Sequence, residues 1–262
     1  MKIALMDSGI GLLAATAAVR RLRPDADLVL SSDPDGMPWG PRTPEDLTAR
    51  ALRVARAAAA HRPDALIVAC NTASVHSLDA LRAELEPTIP VIGTVPAVKP
   101  AAAAGGKVAI WATPGTTGSP YQRDLIDRFA ARAEVTEVPC PGLADAVQWA
   151  DDDGIARTVA AAAALTPTDV TDLVIGCTHY ELVEEPIRAA LRARTGGPLP
   201  VFHGSAGAVA AQALRRIGAR PDPQAAPTGG LTVLLSGRES ALPAEVLHYA
   251  DGRLLTAAPV HG

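Results

Sequence analysis

The chain is poor in several residue types that mark particular classes of protein. Of its 262 residues, 3% are aromatic and 3 are cysteines. An odd and small number of cysteines does not indicate a disulfide framework. No signal peptide is visible, because Met1 and Lys2 lead directly into a short apolar segment. We therefore expect a reducing, cytoplasmic location.

Basic clusters and long apolar runs are also lacking. The formal net charge is −4, and no basic block stands out, which argues against a nucleic-acid partner. The alanine tracts at 57–60 and 160–164 are too short to cross a membrane and are typical of helix interiors. We expect neither nucleic acid nor membrane as a partner.

What the chain does contain is a regular alternation of apolar strand patterns and helical patterns. Apolar residues make up 48% of the sequence, enough for a substantial core. Continuous apolar, β-branched runs such as Ile3–Met6 and Ala65–Ala69 are typical of buried parallel strands. The pattern restarts after Gly105 and Gly106. The sequence thus predicts an α/β fold with two lobes.

Two helices show how far the local signals extend. Thr43 is placed to be the N-cap of a helix over 43–62, with Pro44 at its first position and Asp46 in its first turn. A second helical pattern extends from Ala73 to Glu86. We predict one continuous helix for each.

Candidate functional residues follow from the rule that ligands of open α/β sheets bind at the carboxyl ends of the strands. The polar residues at predicted strand ends are Asp7, Ser8, Cys70, Asn71, Thr72, Thr113–Thr117, Cys177, Thr178 and His179. They lack the paired spacing of a zinc site. Gly9 and Gly11 lack the third glycine of a dinucleotide-binding turn. The sequence therefore predicts neither a metal nor a cofactor.

Two interpretations of Cys70 stay open at this point. Free cysteine is among the most buried residue types, so Cys70 could be a core thiol. The polar stretch that follows, Asn71 to Ser74, instead suits a ligand-binding helix N-terminus, where backbone N–H groups lower the pKa of a thiol.

The remaining candidates can be interpreted in two ways as well. A functional role for Cys177 is favoured by His179 two residues later, since a Cys-Thr-His turn at a strand end suits an acid/base pair. Asp7 is either a functional carboxylate or a simple helix cap. Cys140, between Pro139 and Pro141, has no polar company and is predicted to be structural.

Five sequence blocks occur in order along the chain: Asp7-Ser8-Gly9-Ile10-Gly11, Pro38-Trp39-Gly40, Ala69-Cys70-Asn71-Thr72-Ala73-Ser74, Pro90-Val91-Ile92-Gly93 and Gly176-Cys177-Thr178-His179-Tyr180. Together they resemble the blocks of glutamate racemases, in the cofactor-independent aspartate/glutamate racemase superfamily. The resemblance covers residues 1–215. It implies two pseudo-symmetric lobes, each a mostly parallel sheet flanked by helices, with the active site in the cleft between them.

The resemblance also implies the domain boundaries and the partners. The first lobe would comprise residues 1–96 and 207–262, and the second lobe residues 97–206. The chain would interconvert L- and D-glutamate, a small-molecule substrate, by a two-cysteine proton transfer without pyridoxal phosphate, metal or nucleotide, as a homodimer.

Residue roles follow from the same resemblance. Cys70 would deprotonate the D-enantiomer and Cys177 the L-enantiomer, with Asp7 assisting Cys70 and His179 assisting Cys177. The substrate would be held by a set of polar groups and backbone segments: Ser8, Pro38, Trp39, Gly40, Asn71, Thr72, Thr116 and Thr178.

Four positions depart from the family pattern. Trp39 stands where tyrosine is usual, Leu12 where glycine is usual, Gln148 near a usual glutamate, and His203 near a usual aspartate. They leave open a racemase for another amino acid, in cell-wall or specialised metabolism. They also leave open a related isomerase or decarboxylase, and a non-catalytic binding protein on the same scaffold.

Overall fold

The computed structural model describes residues 1–256, with helices and strands alternating along most of that range. The strands are β1 (Lys2–Asp7), β2 (Asp27–Ser32), β3 (Ala65–Val68), β4 (Val91–Gly93), β5 (Gly106–Ala112), β6 (Ala133–Pro139), β7 (Asp172–Ile175), β8 (Val201–His203), β9 (Leu231–Leu235) and β10 (Arg238–Ser240). Among the described residues, no helix combines the length and the apolar character needed to cross a membrane.

Most of the helices are short. They are α1 (Leu13–Leu22), α2 (Pro44–Ala59), α3 (Asn71–His76), α4 (Leu78–Leu85), α5 (Val98–Ala101), α6 (Pro120–Phe129), α7 (Leu143–Gln148), α8 (Asp152–Leu165), α9 (Glu184–Thr195), α10 (Ala206–Arg216) and α11 (Ala250–Thr256). Short 3-10 helices lie at Ile10–Leu12, Pro34–Gly36, Thr178–Val183 and Ala244–His248.

The chain divides into two compact units, each with its own sheet. The first unit is Met1–Val95 together with the chain from Ala206 onward, and the second is Pro96–Ser205. Residues 257–262, which the sequence assigned to the first lobe, lie outside the described residues. The prediction of an α/β fold with mostly parallel sheets is confirmed.

The first unit is built on a six-stranded sheet in the order β10-β9-β2-β1-β3-β4. All its neighbouring strands are parallel except β9 and β10, which form an antiparallel hairpin at one edge. The central strand β1 is fully apolar from Ile3 to Met6, and these residues are completely buried. That pattern is expected of a parallel strand with both faces covered.

The second unit contains a four-stranded parallel sheet in the order β6-β5-β7-β8. Counted along the chain within this unit, β5 is the first strand and β8 the fourth, so the order across the sheet is 2-1-3-4. The strands β2-β1-β3-β4 of the first unit follow the same order. Each sheet therefore has its third strand in an equivalent place, and each third strand leads into one of the two candidate cysteines.

Local signals predicted one of the two helices well and missed a break in the other. The Thr43 hydroxyl accepts a hydrogen bond from the Asp46 N–H, and Pro44 opens α2, as predicted. The single helix predicted from Ala73 to Glu86 is wrong, because α3 and α4 are separated at Ser77. Ser77 has non-helical angles, and its hydroxyl lies 3.1 Å from that of Thr48 on α2. A serine hydroxyl that bonds outside its own helix favours such a break.

Candidate active site

In the first unit, Asp7 and Cys70 lie at the carboxyl ends of adjacent strands. Asp7 is the last residue of β1, and Cys70 follows the end of β3 by two residues. The two strands are parallel neighbours with Met6 opposite Val68. The Ala69 N–H donates to the Met6 carbonyl at 2.8 Å and fixes this register up to the strand ends. The sheet thereby brings the two predicted catalytic groups to one edge.

The turn that carries Cys70 is held by hydroxyl groups. The Ser74 N–H donates to the Cys70 carbonyl at 2.9 Å, which starts α3 directly after the cysteine. The Ser74 Oγ accepts from the Thr94 N–H at 2.9 Å. The Thr94 hydroxyl in turn donates to the Val68 carbonyl at 2.8 Å. Cys70 is thus fixed between the ends of β3 and β4.

Exposure differs among the polar neighbours of Cys70. Cys70 and Asn71 are buried, whereas Thr72 is partly exposed. Ser8, after β1, is also partly exposed, and its Oγ lies 3.5 Å from Asp7 Oδ1. The departure at Leu12 has a plain structural explanation, because this side chain is buried in the core.

The segment Pro38–Trp39–Gly40 points its aromatic side chain into the protein. Pro38 and Gly40 are exposed, while Trp39 is 1% exposed. The indole Nε1–H of Trp39 donates to Asp33 Oδ2 at 3.1 Å. Only the backbone of this segment and its flanking residues are therefore available to a ligand. Sequence reasoning missed Asp33, although it directly follows β2 and the strand-end rule should have included it.

In the second unit, Cys177 occupies the equivalent place. It follows the end of β7 by two residues, and β7 pairs with β5 with Ile175 opposite Trp111. The Gly176 N–H donates to the Trp111 carbonyl at 2.8 Å. Cys70 and Cys177 share a backbone φ of −140°. Each precedes a helical turn, so the two sheets present their thiols in the same local setting.

The residues after Cys177 are packed in a buried 3-10 turn. Thr178 and His179 are buried. His179 Nε2 lies 3.0 Å from the Oε1 atom of Gln148, the last residue of α7. The structure therefore brings together His179 and the residue that stands near the family's usual glutamate. A neutral amide can face an imidazole nitrogen without requiring that the imidazole be charged.

Cys140 is the third thiol, and its surroundings keep it protonated. It is buried, and its Sγ lies 3.5 Å from the Val138 carbonyl. Burial, followed by the charge of Cys177, raises the pKa of Cys140 to about 12, despite the N–H of the backbone that favours its thiolate. Burial likewise raises the pKa of Tyr180 well above its usual value. Both groups stay neutral near pH 7.

The remaining predicted positions in the second unit have different surroundings. Thr116 lies in the loop after β5, where its N–H donates to the Thr113 carbonyl at 2.9 Å and the two hydroxyls are 3.1 Å apart. His203 ends β8, but its Nε2 is 2.7 Å from Asp172 Oδ1, in the first residue of β7. Thr116 therefore remains at a strand end, while the His203 imidazole is directed back along the sheet.

The sheets thus gather the predicted site residues into one set at each carboxyl edge. The first set contains Asp7, Ser8, Cys70, Asn71 and Thr72, and the second contains Thr116, Cys177, Thr178 and His179. Within residues 1–256, no group of three or more His, Cys, Asp or Glu side chains could hold a metal ion.

Comparison with known proteins gives one consistent family. Residues 11–213 match the family model described as Asp/Glu/Hydantoin racemase. A glutamate racemase of Pseudomonas putida (strain W619) is 35% identical over 220 residues, covering 82% of this chain and 80% of the relative.

Two solved structures extend the comparison. A glutamate racemase isoform of Bacillus anthracis has a TM-score of 0.69 at 28% identity, covering 89% of this chain and 86% of the other. The Escherichia coli glutamate racemase, solved with L-glutamate and an activator, has a TM-score of 0.78 at 24% identity, covering 94% and 91%. At that identity, the second likeness supports the fold.

Proposed function

This chain belongs to the Asp/Glu/Hydantoin racemase family and is an isomerase, and we propose that it interconverts L- and D-glutamate without a cofactor, using Cys70 and Cys177 as its two bases. One observation carries the proposal. In a chain 35% identical to a glutamate racemase, each sheet presents a cysteine two residues beyond its third strand, with the same φ.

The chemistry needs two groups of matched acidity. Racemisation requires one base to take the α-proton from one face of the carbon and one acid to return a proton to the other face. A thiol has an unperturbed pKa of roughly 8.5, so modest tuning gives one thiolate and one thiol near neutral pH. The reacting thiolate becomes a thiol as the C–H bond breaks, and the other thiol becomes a thiolate as the new C–H bond forms.

The direction of the reaction determines which cysteine removes the α-proton. In the proposal, Cys70 removes the proton from D-glutamate and Cys177 removes it from L-glutamate. Asp7 assists Cys70 from the neighbouring strand end, and His179 assists Cys177 from the following turn. After each turnover the two thiols have exchanged protonation states, and the reverse reaction restores them.

The substrate-holding groups are those at the two strand edges. We assign the amino and carboxylate groups of the substrate to Ser8, Asn71, Thr72, Thr116 and Thr178. The segment Pro38–Trp39–Gly40 contributes through its backbone, because the Trp39 side chain is buried. The Trp39 departure from the family therefore changes an interior contact, which supports keeping glutamate as the substrate.

Exchange of the α-proton with solvent tests the reaction directly. The chain is incubated in D₂O with L- or D-glutamate, and loss of the α-proton signal is followed by NMR together with the optical rotation. We expect exchange from both enantiomers and convergence to a racemate. A panel of other amino acids is run in parallel. Exchange with none of them would exclude the racemase activity, and exchange with a different one alone would replace glutamate as the substrate.

Substitution of each cysteine tests the two-base assignment. We expect Cys70→Ala and Cys177→Ala each to abolish racemisation, while Cys140→Ala retains it, because Cys140 stays a neutral buried thiol. Full racemisation by either of the first two variants would contradict the proposed mechanism.

Assembly and location complete the proposal. We propose a homodimer in the cytoplasm, as the resemblance to glutamate racemases implies. Light scattering of the purified chain at micromolar concentration measures its oligomeric mass, and fractionation of the producing cells measures its location. A monomeric mass at that concentration, with full activity, would contradict the dimer.

A further inference from the structure

Asp33 is a buried carboxylate that the proposed chemistry does not use. It directly follows β2 and is 2% exposed. Its Oδ2 accepts from the Trp39 indole at 3.1 Å and from Arg50 Nη1 at 3.2 Å. Its Oδ1 accepts from the Ser236 hydroxyl at 3.2 Å. A buried charge is costly unless it is paired and hydrogen-bonded, and here three donors from three separate segments of the chain meet that need.

Arg50 supplies the opposite charge from helix α2. Its Nε is also within 3.4 Å of Asp46, four residues earlier on the helix. Burial opposes the charged form of Arg50, but hydrogen bonds and charge from Asp33 and Asp46 hold its pKa above the usual value. The guanidinium is therefore charged at every pH at which the protein works, and it fixes the Asp33 carboxylate in place.

Ser236 reaches Asp33 from the hairpin turn between β9 and β10. Its N–H donates to the Ser32 carbonyl at 2.7 Å. Its Oγ accepts from the Asp35 N–H at 3.1 Å, which directs its own proton towards Asp33. Ser236 has a positive φ of 49° and Gly237 one of 80°, as a two-residue hairpin turn requires. It lies beyond the matched residues 11–213, so this support comes from outside the part of the chain that defines the family.

The backbone of Asp33 touches the other substrate segment. Its N–H donates to the Ser8 carbonyl at 3.2 Å, and its carbonyl accepts from the Gly36 N–H at 2.9 Å. One residue thus holds the Ser8 turn through its backbone and the Trp39 segment through its side chain. Moving Asp33 would displace both.

We propose that Asp33, together with Arg50 and Ser236, is a positioning residue that sets substrate affinity by fixing the Pro38–Gly40 segment against the Ser8 turn. The inference rests on the proposed function. Asp33 touches no group that exchanges a proton in that function, since its carboxylate is bonded to Trp39, Arg50 and Ser236. Its loss should therefore raise KM far more than it lowers kcat.

Asp33→Asn is the first test. The variant keeps the shape but loses the charge that binds Arg50 and the indole. We expect KM for glutamate to rise roughly tenfold, as for one lost hydrogen bond to a charged group, with kcat within about twofold. Glu84→Gln is the matched control, because this exposed carboxylate pairs with Arg56, another arginine of α2, outside the Asp33 cluster. An unchanged KM, or an equal loss in kcat and kcat/KM, would overturn the proposal.

Gly36→Ala disturbs the same cluster without removing a polar group. A Cβ at Gly36 would overlap Asp33 Oδ2 and Arg50 Nη1, so the pair must shift. We expect the same rise in KM. Ser236→Gly removes the hydroxyl while relieving the positive φ, so a raised KM there assigns the effect to the lost hydrogen bond. Wild-type KM in both variants would contradict the positioning role.

A spectroscopic signal separates this inference from the choice of substrate. The chain has three tryptophans, and the indole N–H resonance of Trp39 is identified by its absence in Trp39→Phe. In Asp33→Asn we expect this signal to move upfield while those of Trp111 and Trp149 stay in place. If no amino acid is racemised, the positioning role fails with the proposed function, whereas an unmoved Trp39 signal refutes the contact itself in an active enzyme.

Discussion

The amide oxygen of Gln148 lies 3.0 Å from Nε2 of His179, and both side chains are buried. The contact joins the end of α7 to the turn that follows Cys177. Because the amide is neutral, it holds the imidazole in position without adding charge. The neutral Gln148, which the resemblance to glutamate racemases places near a usual glutamate, therefore lies beside the second half of the proposed site.

An acid at position 148 should change the reactivity of Cys177. In Gln148→Glu, a carboxylate at this distance favours the imidazolium form of His179. An adjacent imidazolium favours the thiolate of Cys177. We expect its alkylation by iodoacetamide at pH 7, measured in a Cys70→Ala background, to accelerate roughly tenfold, the equivalent of one pKa unit. Gln212→Glu, which adds the same charge beside Arg215 on α10, is the control. Equal alkylation rates in the Cys70→Ala parent and in both glutamate variants would contradict the coupling of residue 148 to Cys177.

Gly176 is predicted to be intolerant of a side chain. A Cβ there would lie 2.6 Å from the Trp111 carbonyl oxygen and 3.2 Å from the Ala112 Cβ. The backbone of β5 is held in the sheet and cannot move away easily, so Gly176→Ala must move the adjacent Cys177. We expect kcat to fall by about 100-fold, since a displacement near 1 Å at a reacting group has that effect. Gly207→Ala, whose Cβ meets nothing within 4 Å, should keep wild-type activity. Wild-type activity in Gly176→Ala would refute the predicted displacement.

Cys140 should make the stability of the protein sensitive to alkaline pH. Its pKa in the folded state is about 12, raised mainly by burial. Unfolding exposes the thiol, which then ionises near its ordinary pKa of roughly 8.5. Its stabilising contribution is therefore complete below that pH and is lost as the pH rises towards 12. We expect the free energy of unfolding to fall by up to about 1.4 kcal/mol per pH unit across this window.

Cys140→Ala isolates that contribution. Denaturant titrations between pH 8 and pH 11 should show a shallower decline in the variant. Tyr121, whose pKa burial raises to about 12, continues to contribute in both proteins. Parallel pH dependences in wild type and variant would contradict the assignment to Cys140.

The buried indole of Trp111 depends on one hydroxyl. Trp111 Nε1–H donates to Thr166 Oγ1 at 2.8 Å, and the hydroxyl donates to the Ala162 carbonyl at 2.9 Å. Thr166→Val leaves the indole N–H buried without this acceptor. We expect a loss of about 1 to 3 kcal/mol in the stability of the second unit, measured by denaturant titration. In a Trp111→Phe background the same substitution should cost much less, and an equal cost would show that the hydrogen bond is not responsible.

Sequence predicted the fold where a local pattern fixes the outcome. A parallel strand with both faces covered needs a continuous apolar stretch. The apolar runs that predicted β1, β3, β5 and β7 are strands of this kind. The Thr43 cap works through groups three residues apart. The family match was likewise predicted from the residue blocks around the cysteines.

Tertiary contacts explain what the sequence could not provide. The break at Ser77 depends on Thr48, 29 residues away, and the His203 imidazole is directed to Asp172, 31 residues away. No local pattern announces either contact. Asp33 differs, since its place after β2 was visible, but its importance comes from Trp39, Arg50 and Ser236. The functional roles of the site residues remain predictions.

The hairpin of β9 and β10 has a consequence for synthesis on the ribosome. Ser236 and Asp33 are separated by 203 residues, and β9 is the strand that covers the edge of β2. At a translation rate of roughly 5 to 20 residues per second, β9 is synthesised on the order of 10 to 40 seconds after β2, whose edge stays uncovered for that time. An uncovered strand edge can pair with other chains. The continuous second unit emerges whole during this interval, so it can fold before the first unit is complete.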